Sequence, residues 1–313
     1  MGFYNPVGST GTVTSMFLAS HGVFPNPGAK VLFVNNSTST TSDGAISGSN
    51  GNSGLSPKEP LSTLAGAVAM CKAGRGDVIV IMPGHAETNT AVVNINVAGV
   101  QVIGCGVGNL RPTFTINAAA DCIRLSAAGV LVAGLHITAP GTDEATAMFD
   151  VTAANCMIKD CTGIGSGSSK NFVDCITIAS GADDLVIDNV DIRNTNTAVN
   201  SFVSIEAAVA RLTVKNCFFF GDVAAAGIID AATATQIHLL NNTIGVIGTT
   251  KAAATLDSNP TGVADNNRFL GTDTTIANNN AIGNAIRQSR SYVLEETDNS
   301  KQATNIIPAL DVE

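Results

Sequence analysis

The stretch Leu212-Thr213-Val214-Lys215-Asn216 is one of seven short apolar strings that recur along the chain and decide its fold. The seven strings are Val100–Gly104, Val130–Gly134, Cys156–Asp160, Leu185–Asn189, Leu212–Asn216, Ile237–Asn241 and Val263–Asn267. Subtraction of their first positions gives spacings of 30, 26, 29, 27, 25 and 26 residues. A repeat of this length indicates one supersecondary unit that is stacked on itself.

A second series of positions keeps the same period and precedes the strings by seven to nine residues. Its members are Ile123, Phe149, Ile176, Val203, Ile229 and Thr255. Alternation of apolar side chains with period two predicts at least two strands in each repeat. About 26 residues are too few for a strand–helix repeat with loops. The sequence therefore predicts an all-β fold, a single-stranded parallel β-helix of about nine coils, right-handed by the rule for parallel crossovers.

Four consecutive strings end in asparagine, at Asn189, Asn216, Asn241 and Asn267. If the strings are in register, these side chains form a structural column along the rod. Stacked amides can hydrogen-bond to one another and to the backbone of the corner. The alternative is that asparagine is present only because it suits a turn.

The chain is expected to form one β-helix domain with an extension at each end. Residues 1–29 are predicted to be an extended arm, which packs either on another molecule or back on its own rod. Residues 30–272 are assigned to the β-helix, with a helix near 61–73 that covers the open first coil. Residues 273–313 are predicted to be a C-terminal extension or cap, with a weakly helical pattern over 281–294.

Composition and charge narrow the classes of function. A net charge of −9 argues against a nucleic-acid partner, and no apolar run approaches the ~18 residues of a membrane span. Seven cysteines without a CxxC motif are predicted to be core fillers made in a reducing compartment. No secretory signal pattern is visible at the N-terminus. We expect no metal and no cofactor.

The carboxylates that come closest to a catalytic pattern are Asp183, Asp184 and Asp188. A hydrolase needs two or three carboxylates as acid, base or nucleophile, and Asp184 and Asp188 are predicted to share the outer face of a strand. Lys159 and Lys215 are predicted to flank Asp188 on neighbouring coils, which is typical of paired charges on a solvated sheet. We therefore favour a structural interpretation and predict no catalytic residue.

The segment that precedes the first string carries a resemblance to a known family. It reads S-N-G-N-S-G-L-S-P-x-x-P-L-S-T-L from Ser49, and G-D-V-I-V-I-M-P-G-H-A-E from Gly76. This opening resembles that of right-handed parallel β-helix proteins of the pectate-lyase-like superfamily. The version that ends in M-P-G-H-A-E is most similar to structural proteins of tailed bacteriophages.

The resemblance implies a non-enzymatic virion component, of the capsid decoration or cement type, assembled in the host cytoplasm. It also implies that the partners are the major capsid protein or other virion proteins, and that the protein is a homotrimer. The chain has no tryptophan and two tyrosines, which does not suit an aromatic sugar cleft. The alternatives are a tailspike or polysaccharide-degrading lyase or hydrolase, which would use the three aspartates above, and a surface-binding adhesin.

Overall fold

The computed structural model describes residues 26–36, 48–139, 144–165, 172–247, 251–256, 260–271, 280–282 and 286–295 of the 313. Its regular structure is almost entirely β-strand. The strands form three parallel sheets, and each turn of the chain adds one strand to each sheet in succession. The predicted all-β parallel solenoid is confirmed, whereas its right-handedness stays a prediction. Residues 1–25 of the predicted arm and residues 296–313 of the predicted C-terminal extension lie outside the described residues.

The first sheet has ten strands and contains the seven apolar strings. The ten strands, in their order across the sheet, are β1 (Val31–Val34), β2 (Val78–Ile81), β5 (Gln101–Gly104), β8 (Leu131–Ala133), β11 (Met157–Lys159), β14 (Val186–Asp188), β17 (Thr213–Lys215), β20 (Ile237–Leu240), β23 (Gly262–Asp265) and β26 (Ile286–Ser289).

The second sheet has nine strands. They are β3 (Ala86–Asn89), β6 (Thr113–Ile116), β9 (His136–Ala139), β12 (Thr162–Gly165), β15 (Asp191–Val199), β18 (Phe218–Val223), β21 (Thr243–Ile247), β24 (Arg268–Gly271) and β27 (Tyr292–Glu295).

The third sheet has eight strands and contains the second apolar series. They are β4 (Val93–Ile95), β7 (Ile123–Leu125), β10 (Ala145–Val151), β13 (Phe172–Ile178), β16 (Ser201–Ile205), β19 (Ala226–Asp230), β22 (Ala252–Leu256) and β25 (Asn280–Ile282). Eight neighbouring strands are separated by seven complete turns of the chain, so the coil number is lower than the predicted nine.

The three sheets enclose one continuous apolar core. Phenylalanines from different sheets meet inside it, as the rings of Phe202 and Phe219 do with their centroids 5.8 Å apart. All seven cysteines are free, and five of them are buried. Burial raises the pKa of the Cys161 thiol to about 12, which makes it an inert core filler, as predicted.

The predicted N-terminal helix is shorter than residues 61–73 and spans Leu64–Met70, here α1. Thr63 is its N-cap, and the Thr63 side chain accepts a hydrogen bond from the backbone N–H of Gly66 at 3.0 Å. The helix buries Leu64, Ala67 and Val68 and packs on β1, β2 and β4. Its role as a cap over the end of the core stays a prediction.

The seven first-sheet strands from β8 to β26 are each followed by a tight corner whose residue has a positive φ. The corner residues of seven successive turns are Gly134, Asp160, Asn189, Asn216, Asn241, Asn266 and Arg290. Asparagine and glycine tolerate this left-handed backbone better than other residues, which explains why asparagine recurs here. Asn241 Nδ2 donates to Asn216 Oδ1 at 3.5 Å, whereas Asn216 Nδ2 donates to Asp188 Oδ1 at 2.8 Å. The amide column is therefore interrupted between Asn189 and Asn216.

The prediction that Asn267 belongs to this column is wrong. Gly262, not Val263, pairs with Ile237, so the last string begins one residue earlier and Asn266 takes the corner. Only glycine fits at position 262, because a Cβ there would lie 1.9 Å from the carbonyl oxygen of Ile237. Asn267 is buried instead.

The C-terminal boundary predicted at residue 272 is also wrong. The strands β25, β26 and β27 continue the three sheets, and they pair with β22, β23 and β24 of the preceding turn. The weakly helical pattern predicted over 281–294 is therefore not helix in the residues that the structure describes. Tertiary pairing with the preceding turn outweighs a weak local preference.

Candidate active site

The second apolar series places a polar column on the outer face of the third sheet. Ile123 and Leu125 of β7 belong to the core, so Arg124 between them points outward. Arg124 pairs with Asp150 of β10, Asp150 with Thr177 of β13, and Thr177 with Ser204 of β16. Four consecutive turns therefore present polar side chains at one position.

Arg124 joins two carboxylates at the start of this column. Its Nε donates to Asp150 Oδ2 and its Nη2 donates to Asp121 Oδ2, both at 2.6 Å. The hydroxyl of Thr177 donates to the other oxygen of Asp150 at 3.0 Å. Both aspartates are buried, so this part of the site is recessed below the surface.

Two further carboxylates complete the group, which we call the carboxylate cluster: Asp121, Asp150, Asp174 and Glu206, with Arg124. Asp174 of β13 is buried, and its Oδ1 accepts hydrogen bonds from Ser201 Oγ at 2.6 Å and from Asn200 Nδ2 at 3.0 Å. Glu206 follows β16 and is exposed.

The electrostatics of the cluster favour protonation of two of its acids. Partial desolvation raises the pKa of Glu206, and the negative charges of Asp174, Asp150 and Asp121 raise it further. Burial also raises the pKa of Asp121, together with the charge of Asp150, and the guanidinium of Arg124 only partly offsets this. A site with acids whose pKa is raised beside other carboxylates can donate and accept protons.

The three aspartates predicted from the sequence lie elsewhere and each has a partner. Asp184 is a corner residue with φ of 59°, and it forms a two-pronged ion pair with Arg211 on the next turn at 2.5 and 2.8 Å. Asp183 Oδ1 accepts from the backbone N–H of Ala210 at 2.7 Å. Asp188 lies 3.4 Å from Lys215 Nζ, and β14 pairs it in register between Lys159 and Lys215, as predicted. These partners favour the structural interpretation of all three.

His85 and Glu87 of the M-P-G-H-A-E motif are buried and link the first turn together. His85 Nε2 lies 3.1 Å from Glu87 Oε2, and His85 Nδ1 accepts from the backbone N–H of Asn36 at 2.8 Å. Glu87 Oε2 also accepts from the backbone N–H of Leu64, the first residue of α1, at 2.9 Å. The motif therefore fixes the helix and the loop after β1 to the first coil.

The sequence contains a pattern that indicates the carboxylate cluster, and sequence reasoning missed it. The triplets Ile-Arg-Leu, Phe-Asp-Val, Ile-Thr-Ile and Val-Ser-Ile begin at Ile123, Phe149, Ile176 and Val203, which are members of the second series. Their middle residues are the outward polar column. Asp121, Asp174 and Glu206 lie outside this triplet pattern, and only the folded coils bring them to it.

Two kinds of feature are absent from the described part of the chain. No group of three or more His, Cys, Asp and Glu side chains is placed there to hold a metal ion. No described helix is long and apolar enough to cross a membrane.

Comparison with known proteins gives similarity at the level of the fold. No protein-family model and no curated protein sequence matches the chain. Among solved structures it is similar to the pectate lyase Pel9A, with a TM-score of 0.60 and 14% identity over 85% of this chain and 70% of that one. It is also similar to a rhamnogalacturonan lyase, with a TM-score of 0.50 and 14% identity over 78% of this chain and 70% of that one. A lacto-N-biosidase of family GH136 from Eubacterium ramulus matches with a TM-score of 0.45, 10% identity, and 84% and 67% coverage.

This comparison confirms the parallel β-helix fold and corrects the expectation about activity. The prediction of a non-enzymatic protein is contradicted, because the solved structures with this fold at TM-scores of 0.50 and 0.60 are both lyases. The virion location, the capsid partners, the homotrimer and the phage origin stay predictions.

Proposed function

We propose that this protein is an enzyme that cleaves glycosidic bonds in a polysaccharide, with its active site at the carboxylate cluster of the third sheet. One observation carries the proposal: four carboxylates and one guanidinium gather on the outside of a β-helix whose solved counterparts are lyases named for pectate and rhamnogalacturonan. At 14% identity those structures support the fold, and the side chains of this chain support the chemistry.

The cluster can supply the two different catalytic carboxyl groups that glycoside hydrolysis requires. One carboxylic acid must protonate the leaving oxygen, and one carboxylate must activate water or attack the sugar. Glu206 fits the acid role, because it lies at the surface, and partial desolvation and three neighbouring carboxylates raise its pKa. Asp174 fits the base role, since Ser201 and Asn200 both donate to the same oxygen, Oδ1, and fix the orientation of the carboxylate.

The hydrogen bonds that Arg124 already makes favour hydrolysis over elimination. Elimination from a uronic acid requires a positive group that neutralises the carboxylate of the substrate while a base removes the neighbouring proton. The hydrogen bonds of Arg124 already go to the carboxyl groups of Asp121 and Asp150. The cluster is therefore better suited to hydrolysis than to binding of a polyuronate.

The test is a panel of neutral and acidic polysaccharides incubated with the purified protein. New reducing ends report any cleavage, and ultraviolet absorbance of unsaturated ends reports elimination. We expect reducing ends without unsaturated products. Unsaturated products would replace hydrolysis by elimination, and the absence of cleavage on the whole panel would contradict the proposed function.

Matched variants locate the activity. Glu206→Gln and Asp174→Asn should each lower kcat by about 10²- to 10⁴-fold, the usual contribution of a positioned acid or base. Asp184→Asn is the control, because Asp184 is a corner carboxylate that is paired with Arg211. A loss of activity in Asp184→Asn with retention in the other two would move the site to the corner.

A further inference from the structure

Two phenylalanine side chains lie on the outer face of the second sheet. In β18 the run Phe218-Phe219-Phe220 alternates, so Phe219 is buried in the core and the side chains on either side of it point outward. The ring centroids of Phe218 and Phe220 are 6.3 Å apart, and the ring planes differ by 27°. Neither ring is fully buried. The strand therefore presents an aromatic surface on the outside of the rod.

The position of Phe218 is polar in the strands on either side of β18. Strand pairing places Phe218 in register with Asp191 of the preceding turn. The same register continues to Thr162 and His136 on the two turns before that. Thr243 takes the position on the next turn. Polar side chains therefore suffice at this point of the sheet, and the solenoid itself does not require a ring there.

The next strand makes room for one of the two rings. Gly245 of β21 pairs with Phe220, and a Cβ at Gly245 would lie 2.6 Å from Cδ2 and 3.1 Å from Cε2 of the Phe220 ring. The ring therefore leans over the backbone of the next turn, in the space that a side chain would otherwise fill. Glycine at position 245 supports this placement of the ring.

A charged pair borders the rings on the preceding turn. Arg193 donates to Asp191 from Nε at 2.9 Å and from Nη2 at 2.8 Å. The guanidinium carbon of Arg193 also lies 4.9 Å from the centroid of the Phe218 ring. The pair with Asp191 uses two of the five N–H donors of the guanidinium, so the same two side chains can also serve hydroxyl groups of a ligand. We call Asp191, Arg193, Phe218 and Phe220 the phenylalanine site.

The phenylalanine site matches the chemistry of a neutral sugar ring. A pyranose has C–H groups on its faces, which pack on an aromatic ring, and hydroxyl groups on its rim, which donate to a carboxylate and accept from a guanidinium. Asp191 and Arg193 carry opposite charges and are paired, which favours a neutral ligand over an ion. A protein partner suits the site less well. A stable interface buries about 800 Å² on each side, whereas a phenylalanine supplies about 150–250 Å² even when it is fully buried.

We propose that the phenylalanine site binds a neutral sugar unit of a polysaccharide outside the active site. The choice of ligand rests on the proposed function. The site itself is separate from the active site, because it lies on the second sheet and the carboxylate cluster lies on the third. A polymer that is held at one site has a raised effective concentration at the other, so this contact keeps the chain of sugars near the carboxylate cluster.

The experiment is affinity electrophoresis of the Glu206→Gln protein, so that the polymer in the gel is not consumed. The neutral probes are hydroxyethylcellulose, galactomannan and dextran, and polygalacturonate is the charged probe. We expect at least one neutral polymer to retard the protein, and the added change Phe218→Ala/Phe220→Ala to raise the dissociation constant about tenfold. Val107→Ala/Leu110→Ala is the matched control, because these apolar side chains are 78% and 58% exposed on another turn.

A second variant keeps the test valid if the alanine form does not fold. Phe218→Leu/Phe220→Leu retains apolar bulk on the strand and removes only the rings, and circular dichroism checks that the fold is native. We expect this variant to lose affinity as well, because the flat aromatic faces are what a sugar ring packs on. Native affinity in the leucine variant would overturn the role of the rings.

The outcomes separate this site from the proposed function. Binding that depends on the phenylalanines, without cleavage by the unchanged protein, would support the site and contradict the enzyme. Cleavage together with equal binding of the alanine variant and its control would overturn the site alone. The site is also overturned if none of the neutral polymers retards the protein, or if polygalacturonate binds more tightly than they do. A dimer in sedimentation that the alanine variant abolishes would assign the rings to a second copy of the chain.

Discussion

Replacement of Arg124 by methionine tests the electrostatics of the carboxylate cluster directly. Arg124 is the cation that pairs with both Asp121 and Asp150, and the variant keeps most of the aliphatic stem while it removes the guanidinium. Without the guanidinium, two buried carboxylates face each other with no positive charge between them. The expected result is a loss of stability at neutral pH.

The magnitude follows from the two hydrogen bonds that are lost. Each joins charged groups at 2.6 Å, and such bonds typically contribute about 1.5–3 kcal/mol. The side chain of Arg124 is 40% exposed, so solvent screening reduces the sum. We expect the free energy of unfolding to fall by about 2–4 kcal/mol at pH 7.

The pH dependence has a definite sign. Burial and the charge of Asp150 already raise the pKa of Asp121, and removal of Arg124 raises it further. A carboxyl group whose pKa is higher in the folded state contributes stability below its unfolded pKa, and this contribution is lost as pH rises through the folded pKa. The destabilisation by Arg124→Met should therefore be smallest near pH 4 and increase toward pH 7.

Urea unfolding followed by circular dichroism at several pH values measures both effects. Arg211→Met is the matched control, because it removes the same kind of two-pronged pair from an exposed corner, where we expect a much smaller loss. Equal losses in the two variants would refute the argument from burial. A loss in Arg124→Met that does not depend on pH would refute the coupling between the carboxylates.

Three further predictions test the core, the buried amides and the end of the rod. Phe202→Ala should lower the free energy of unfolding by about 3–5 kcal/mol in urea titrations, because a fully buried ring leaves a cavity. Asn242→Leu should cost about 2–4 kcal/mol, since it leaves the backbone N–H of Cys217 without its acceptor and removes the donor to the backbone oxygen of Val214, whereas Asn241→Ala at the exposed corner should cost about 1–2 kcal/mol in the same titration. Leu64→Asp should cause self-association in light scattering if α1 closes the core, and a monodisperse variant with native circular dichroism would contradict that role.

The predictability of the fold reflects how a solenoid is built. Each turn contacts mainly the turn before and the turn after, so the spacing of apolar residues predicts the register in which the strands pair. The strings from Val100 to Asn241 were therefore found with the correct register. The predicted register is wrong at Gly262, where a glycine takes the place of an apolar residue. It is also wrong where one turn is shorter than the spacing suggests, since Val203 pairs with Ile228 and not with Ile229.

The candidate site was less predictable, because its members come from different positions on different turns. Asp121 precedes its strand, Asp174 lies near the start of β13, and Glu206 follows β16. No local pattern relates these positions to one another. The adjacent Asp183 and Asp184 are conspicuous in the sequence, yet the folded chain gives them partners at a corner.

The sequence by itself determined the repeat, the parallel β-solenoid and the inert role of the cysteines, because hydrophobic periodicity and side-chain size act locally within each coil. The tertiary structure decided which carboxylates gather, which of them have a raised pKa, and which asparagines turn inward. Those properties depend on the distances between side chains of different coils and on how far each is removed from water, and both quantities exist only after the coils have stacked.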